Sequence, residues 1–305
     1  MSTRGWLLFA AMGVIWGIPY LLIKIAVGEI APSTLVLART AIGTALLLPI
    51  ALVRGDLRAL RPYIGLLVAY TFVEVIAPWL LLSHAETRLS SSLSGMLIAG
   101  VPLVGAVLLW LRVAGRGPSH DDRPDAARLV GLALGFAGVA FVVGFNVAAD
   151  DLIAVVEVAL VVVGYAIGSI LIAQFRGVPS LGVVAASLAL AALVYLPLGI
   201  AQRPTVLPSV QALASVAILG VVCTALAFLV FFALIREVGS NRATVITYLN
   251  PAVAVALGVW LLGEPFTWTI AAGFVLIALG SFVGTRHSAG RPAPSAAPDG
   301  TVAAP

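Results

Sequence analysis

The sequence predicts an all-α membrane protein whose ten transmembrane helices form two inverted five-helix repeats. Its composition, its recurring apolar segments and a weak internal repeat lead to this prediction. Of the 305 residues, 61% are hydrophobic and 10% are charged, whereas roughly 25% of the residues in a usual soluble domain are charged. Because a soluble fold of this length needs a polar exterior, we expect the lipid bilayer to surround most of the chain.

Apolar segments recur along nearly the whole chain, and each is close to the 20 or so residues that a transmembrane helix needs. The predicted spans are residues 6–27, 33–53, 62–83, 89–111, 129–146, 152–173, 180–201, 210–235, 242–262 and 267–285. The first segment follows Arg4 as a secretory signal would, but it continues to Val27 without a clear small-residue cleavage site. We therefore interpret it as the first span.

Positive residues predict the orientation of the chain, because Lys and Arg stay on the cytoplasmic side during insertion. Most of the 17 Lys and Arg residues fall in connections on one side, whereas Lys24, Arg88 and Arg203 fall on the other. Both termini are therefore expected in the cytoplasm of a multi-pass protein of the plasma (inner) membrane.

An internal repeat relates the fourth and fifth spans to the ninth and tenth. The matching residues are Ser92, Pro102 and Trp110 with Asn241, Pro251 and Trp260, and the matching glycine pairs are Gly131 and Gly138 with Gly273 and Gly280. Two halves of five spans each follow from this match. An odd number of spans in each half makes the second half enter the membrane from the opposite side, which gives an inverted topology.

The repeat also predicts the domain organisation. The first repeat is expected at residues 1–146, including a solvated cytoplasmic connection at 113–128, and the second repeat at 147–285. Residues 286–305 have almost nothing to bury and are expected to form a disordered cytoplasmic tail.

Several function classes are disfavoured by the residues that are present. The single cysteine, Cys223, excludes an intramolecular disulfide and a cluster of thiolate metal ligands. The histidines lie at segment ends or in polar connections, which argues against an intramembrane hydrolase. No phosphate-binding GxxxxGK[ST] motif is present, and the cytoplasmic arginines explain the net charge of +4 without nucleic acid. We therefore expect no enzyme activity, no catalytic residue, no cofactor and no metal.

Charged side chains inside apolar spans are the strongest indication of a functional site, because each costs about 2.5–3.5 kcal/mol near a helix centre. The four are Lys24, Arg39, Glu74 and Glu157. From the helical rise, Glu74 lies ~18 Å deep, near the bilayer midplane, and Arg39 and Glu157 lie ~8–9 Å deep. We expect Arg39 and Glu157 to pair across a central cavity.

Each charge has two interpretations. Glu74 is predicted to titrate a proton or bind a cation, because a low dielectric disfavours an ionised carboxylate. The alternative is a neutral Glu74 that is hydrogen-bonded to a neighbouring helix. For Arg39 and Lys24, contact with a substrate carboxylate competes with snorkelling to the membrane surface or an interhelical salt bridge.

Helical spacing and interruptions of the spans add further candidates. Tyr70 shares a face with Glu74, and Tyr165 aligns with Glu157, so both faces are expected to look inward. The other candidate binding residues are Trp16, Trp79, Thr247, Tyr248 and Asn250, and the candidate helix-break or gating residues are Gly17, Pro19, Pro102 and Pro251. A proline frees a backbone carbonyl for a ligand, or it forms a kink that only shapes packing. Glu264 is predicted to cap the helix N-terminus that follows it.

Two sequence patterns carry a resemblance to a known family. WGIPYLLIK (Trp16–Lys24), followed by Pro32 and Arg39, stands in the first half, and YLNPAVAVALGVWLLGEPFTW (Tyr248–Trp268) stands in the second. In their order and spacing, these patterns are similar to the EamA-like branch of the drug/metabolite transporter superfamily. The resemblance implies a ten-helix bundle with both termini in the cytoplasm. It also implies export or exchange of amino acids, drugs or other metabolites around a central cavity.

We therefore predict a secondary transporter that exports or exchanges small polar metabolites, amino-acid-like or drug-like, by alternating access. Its partners are a small-molecule substrate and the lipid bilayer, with no nucleic acid, while a coupling proton and a homodimer are left open. The alternatives are an uncoupled facilitator or channel and a non-transporting membrane scaffold.

Overall fold

The computed structural model describes residues 2–114, 126–239, 246–247 and 249–285, and all regular secondary structure in these ranges is helical. Seven helical segments are long and apolar enough to cross a membrane, and three shorter apolar helices accompany them. The long segments are Thr3–Val27, Pro32–Val53, Asp56–Ala85, Ser91–Leu108, Ala149–Ile172, Ser180–Ala201 and Val210–Val238, and the shorter ones are Leu129–Phe145, Leu249–Leu262 and Trp268–Val283. The protein is therefore an all-α membrane protein.

Fourteen α-helices make up the described structure. Those before the first gap are α1 (Thr3–Gly17), α2 (Pro19–Val27), α3 (Pro32–Val53), α4 (Ile64–Thr71), α5 (Ala77–Ala85), α6 (Ser91–Ile98) and α7 (Val101–Ala114). Those after it are α8 (Ala126–Asn146), α9 (Leu152–Ile172), α10 (Ser180–Ala201), α11 (Val210–Gly220), α12 (Ala227–Val238), α13 (Leu249–Leu262) and α14 (Trp268–Thr285). Short 3₁₀ helices cover Asp56–Tyr63 and Ala149–Asp151.

Two spans are interrupted close to their prolines. Helix α1 ends at Gly17 and α2 begins at Pro19, which needs no backbone N–H donor at a first helical position. Helix α6 ends at Ile98, and α7 resumes at Val101 with Pro102 in its first turn. Pro251 lies in the first turn of α13, and the part of the ninth predicted span before it lies mostly outside the described residues.

Two π-helical turns interrupt the third and eighth predicted spans. The first π turn, Phe72–Ile76, joins α4 to α5, and the second π turn, Val221–Leu226, joins α11 to α12. A π turn holds more residues than an α-helical turn, is rare and is frequent at functional sites. Both turns therefore mark places where the helices depart from regular geometry.

Helix pairs from the two halves of the chain form the largest contacts in the bundle. Helix α8 packs along α14, α3 packs along α10, and α6 packs against α13. Helix α5 packs against α9, and α2 packs against α11. Small residues permit the closest of these approaches, since a Cβ at Gly280 would overlap the backbone of Gly135.

Large apolar side chains surround the bundle on its outside. Trp6 is 58% exposed and Trp268 is 70% exposed. Exposed apolar surface on this scale is unusual for a soluble monomer and is the expected boundary with lipid tails.

Candidate functional site

Arg39 is buried between three helical segments and is held by two different contacts. Its Nε donates a hydrogen bond to Thr224 Oγ1 at 2.9 Å, and Thr224 belongs to the second π turn. Its Cζ lies 3.7 Å from the ring centroid of Trp79 on α5, which is a cation–π arrangement. These contacts fix the guanidinium from both halves of the chain.

The expected ion pair between Arg39 and Glu157 is wrong. Glu157 Oε1 instead lies 2.8 Å from His84 Nδ1, at the last turn of α5. Helix α5 packs against α9 and brings these two groups together, while Arg39 faces Trp79. The helical rise placed Arg39 and Glu157 at one depth, but depth alone does not give the rotation of a helix about its axis.

Glu74 lies in the first π turn and faces α9. Its Oε2 is inaccessible to solvent and has no hydrogen-bond partner among the described residues. A Cβ added at Gly168 would overlap this oxygen, and one added at Gly164 would lie 3.0 Å from Pro78. The two glycines of α9 therefore make room for the first π turn and its carboxyl group.

Two tyrosines take different positions around Glu74. Tyr165 on α9 is hydrogen-bonded by Trp79 and interacts electrostatically with both Glu74 and Arg39. Tyr70 is buried on α4 with its ring edge toward Phe175, at a centroid distance of 5.9 Å, and it also interacts with Glu74. Both tyrosines thus interact with Glu74, but Tyr70 packs against Phe175, whereas Tyr165 also interacts with Arg39.

A single polar cluster emerges from these contacts, and we call it the Arg39–Glu74 cluster. It consists of Tyr20, Arg39, Glu74, Trp79, Tyr165 and Thr224. Its members come from α2, α3, the first π turn, α5, α9 and the second π turn. A basic and an acidic side chain, each interacting with Tyr165, thus lie among aromatic and hydroxyl side chains. Ionisable groups within membrane spans typically mark substrate or ion pathways.

Lys24 has a structural role that neither sequence interpretation anticipated. Its Nζ donates hydrogen bonds to the carbonyl oxygens of Glu86, at 2.7 Å, and Leu89, at 2.8 Å. A cation is favourable at a helix C-terminus, where carbonyl groups lack partners within the helix. Lys24 therefore caps the end of α5.

Glu86 is the residue that the sequence analysis missed. It is 0% exposed, and neither carboxyl oxygen has a hydrogen-bond partner among the described residues. Burial raises the pKa of this carboxyl group well above its usual range, and nearby Lys24 lowers it in part. The predicted third span ended at residue 83, so Glu86 fell in a connection, whereas α5 continues to Ala85.

Glu264 caps a helix N-terminus, but not the one that follows it in the sequence. Its carboxylate accepts hydrogen bonds from the backbone N–H groups of Ser91, at 2.7 Å, and Ser92, at 2.9 Å, which begin α6. Helix α13 packs against α6, so the connection after α13 reaches the start of α6. Helix α14 begins only at Trp268.

The candidates around α1 and α13 form a separate packing region. Trp16 contacts the aromatic rings of α12, with a centroid distance of 4.8 Å to Phe231. Gly17 faces Val253, and Asn250 can donate from its side-chain amide to the Gly13 carbonyl at 3.2 Å. These contacts join α1 to α12 and α13 and do not involve Arg39 or Glu74.

Two further candidates take positions at the start of α13. Thr247 is half-buried just before this helix, and Tyr248 lies outside the described residues.

Two of the cavities among the described residues are lined by side chains other than the charged candidates. An apolar groove of about 570 Å³ lies between α13 and α14, lined by side chains such as Val259 and Phe274. A second cavity of about 420 Å³ is lined by residues from Ile30 to Ala38 and from Pro204 to Val216.

Comparisons with known proteins identify one family and relatives that are described as transporters. The profile of the EamA-like transporter family matches twice, over residues 3–144 and 152–285. The protein described as uncharacterized transporter YvbV of Bacillus subtilis is 26% identical over 284 residues, which are 90% of each chain. The protein described as uncharacterized inner membrane transporter YedA of Escherichia coli is 27% identical over 289 residues, again 90% of each chain.

A solved crystal structure shows the same fold. It superposes with a TM-score of 0.65 at 21% sequence identity, and the match covers 93% of this chain and 98% of the other. With the family profile covering both halves, the similarity extends over nearly the whole sequence. This chain belongs to the EamA-like transporter family and is a membrane transporter.

Proposed function

We propose that this protein is a secondary transporter that exports or exchanges an amino-acid-like zwitterion by alternating access between two inverted five-helix halves. The observation that carries this proposal is the Arg39–Glu74 cluster, in which a guanidinium and a carboxyl group lie within membrane-spanning helices without pairing to each other. Within the described residues, no carboxylate lies within ion-pair distance of Arg39. Such unpaired charges are costly in a membrane and typically mark substrate or ion pathways.

A zwitterion would neutralise both groups at once. Arg39 has two terminal nitrogens that suit a carboxylate, and its Nε is already bonded to Thr224. Glu74 offers a buried oxygen without a partner among the described residues, which suits an ammonium group. Tyr165 interacts electrostatically with both Arg39 and Glu74, so its hydroxyl group is available to either charged end of the proposed ligand.

The proposed proton coupling rests on the protonation of Glu74 when no substrate is bound. Without the ammonium group of a substrate, a proton is the simplest way to neutralise a carboxylate in a low dielectric. A proton and the substrate would then compete for Glu74. Competition of this kind is sufficient to exchange one for the other across a membrane.

The pattern of helix contacts supports the two inverted halves. The second, fourth and fifth spans of one half each pack against their counterparts in the other, as α3 with α10, α6 with α13 and α8 with α14. The third span of each half packs against the first span of the other half, as α5 with α9 and α11 with α2. A two-fold relation between the halves predicts this set of pairs, and the two π turns occupy corresponding spans.

Transport by purified protein in lipid vesicles tests the proposal. We suggest three radiolabelled probes of one shape: phenylalanine, phenethylamine, which lacks the carboxylate, and 3-phenylpropionate, which lacks the amine. Phenylalanine should be transported in preference to both partial analogues. Arg39→Gln and Glu74→Gln should abolish that preference, whereas Glu157→Gln should retain it because Glu157 pairs with His84.

Four outcomes would contradict parts of this proposal. Equal flux of phenylalanine and phenethylamine would exclude recognition of the carboxylate by Arg39. Uphill flux that persists after the proton gradient is dissipated would exclude proton coupling, and purely downhill flux would indicate a facilitator or channel. Flux equal to that of empty vesicles for a broad panel of amino acids would favour a non-transporting scaffold.

A further inference from the structure

We propose that Glu86, at the end of α5, is a second proton-binding site of this protein. We further propose that loss of its proton draws the Lys24 ammonium group from the backbone to the Glu86 carboxylate. This inference concerns a group that the proposed function does not use, and its test requires no transported substrate. It rests on burial, on missing partners and on the charges that surround Glu86.

The Glu86 side chain is isolated from both water and hydrogen-bond donors. It is 0% exposed, and among the described residues neither oxygen has a partner. An ionised carboxylate in that environment is much more costly than a protonated one. Glu86 therefore holds a proton in this conformation.

The site is separate from Glu74, which lies inside the third predicted span, whereas Glu86 lies just after that span. They are twelve residues apart, which corresponds to ~18 Å along a helix. Glu74 faces the glycines of α9, whereas Glu86 lies where α5 meets Lys24. Protonation of one site can therefore be measured in the absence of the other.

Charged and titratable groups from several elements interact electrostatically with Glu86. They are Tyr20 and Lys24 from α2, Arg39 from α3, Tyr165 from α9 and Glu264 from the connection between α13 and α14. Burial and Glu264 raise the pKa of Glu86, whereas Lys24 and Arg39 lower it. Lys24 and Glu264 have opposite effects on the pKa of Glu86, so removing one or the other should shift this pKa in opposite directions.

A proton fits this site better than a metal ion. The Lys24 ammonium group lies 2.7 Å from the carbonyl oxygen of Glu86, so a metal cation here would be repelled at short range. The oxygens of Glu264 are already occupied by the backbone and hydroxyl groups of Ser91 and Ser92. The described residues contain no group of three metal-binding His, Cys, Asp or Glu side chains.

The position of Glu86 links its charge to the connections between helices. Lys24 ties α2 to the end of α5 and, through Leu89, to the segment that leads into α6. Glu264 ties the connection after α13 to the start of α6. Deprotonation of Glu86 would place a negative charge near both Lys24 and Glu264, and this charge would attract Lys24 and repel Glu264.

Infrared difference spectroscopy can detect this proton directly. Full-length protein in lipid vesicles is measured at a series of pH values, and the C=O stretching band of protonated carboxyl groups is followed. Glu86→Gln should lose one titrating band that Glu74→Gln retains. Glu29→Gln is the matched control, because Glu29 is exposed and its hydrogen bonds from Ser209 lower its pKa, so that band titrates only in acid.

Two neighbouring substitutions test the assignment with Glu86 itself intact. Lys24→Met removes a nearby positive charge and should shift the midpoint of the Glu86 band to higher pH. Glu264→Gln removes a nearby negative charge and should shift the same midpoint to lower pH. A Glu86→Gln spectrum identical to that of the unaltered protein would overturn the proposal, as would shifts in the same direction for both neighbours.

The outcomes for the two proton sites are distinguishable. If the Glu86 band is present and no band depends on Glu74, the second site stands and the coupling role proposed for Glu74 fails. If only a Glu74-dependent band is found, the second site fails and the proposed function is unaffected.

Discussion

The hydroxyl group of Thr224 is the most direct place to perturb the proposed substrate site. It accepts the hydrogen bond from Arg39 Nε at 2.9 Å and donates to the Leu219 carbonyl at 2.8 Å, within the same helical segment. Thr224→Val keeps the shape of the side chain but removes both bonds. Thr224→Ser keeps the hydroxyl group and is the matched control.

The size of the effect follows from the loss of a hydrogen bond to a charged group. Such a bond contributes about 1.5–3 kcal/mol, and each 1.4 kcal/mol changes an affinity roughly tenfold. The cation–π contact with Trp79 remains and contributes about 2 kcal/mol when desolvated, so Arg39 keeps part of its placement. We therefore expect Thr224→Val to raise the KM for phenylalanine by about tenfold.

The assay is initial-rate uptake of radiolabelled phenylalanine by protein in lipid vesicles, with KM and maximal rate determined separately. Thr224→Ser should stay within about twofold of the unaltered protein, since a hydroxyl group remains available to Arg39. Equal KM values for the Val and Ser variants would refute the reasoning. That result would mean that the bond to Arg39 does not position the guanidinium for substrate.

Three further predictions concern other parts of the structure. Glu264→Ala removes the anionic cap of α6 and should lower the free energy of unfolding by about 1–3 kcal/mol, measured as a lower Tm in detergent. Glu237→Ala, which loses a salt bridge to Arg4 and an exposed hydrogen bond from Ser2, should change it by less than about 1 kcal/mol. Gly168→Ala places a methyl group against the Glu74 carboxyl group and should reduce proton-coupled transport severalfold. Gly105→Ala, whose methyl group would enter open space, should leave transport unchanged. Normal transport by Gly168→Ala would show that close packing of Gly168 against Glu74 is not required. Hydrogen bonds from Ser209 lower the pKa of Glu29 below its ordinary value of 4.5, so Glu29 stabilises the folded protein at pH values above 4.5 and loses this effect as the pH falls below it. Glu29→Gln should therefore make Tm fall less steeply with decreasing pH below 4.5, and an unchanged dependence of Tm on pH in that range would contradict this prediction.

The sequence was most informative where composition and helical length decide the structure. Apolar segments predicted the membrane-spanning helices to within a few residues, as with α3 at Pro32–Val53 for a predicted span of 33–53. The depth of ~18 Å expected for Glu74 rests on the same regularity, a nearly constant rise per residue, and stays a prediction. These quantities depend on one helix at a time.

The partners of the charged residues could not be predicted, because they depend on how helices are rotated against each other. Arg39 meets Trp79 and Thr224, and Glu157 meets His84, although spacing made Arg39 and Glu157 look like partners. Glu86 escaped notice because it lies just past the apolar segment that defined the third span. A helix end that continues for two more residues was sufficient to hide a fully buried carboxyl group.

The π turns give each half of the bundle a built-in means of changing register. Each turn holds about one residue more than an α-helical turn, so its conversion to regular α-helix would rotate the segment beyond it by about 100°. In the first half, that rotation would swing Glu74 away from Gly168 without breaking the helix at either side. Because Thr224 lies in the other π turn, the same screw-like shift in the second half would withdraw the hydroxyl group from Arg39. Glu74 and Thr224, one proposed binding group from each half, thus lie in the parts of their helices that depart from regular α-helical geometry.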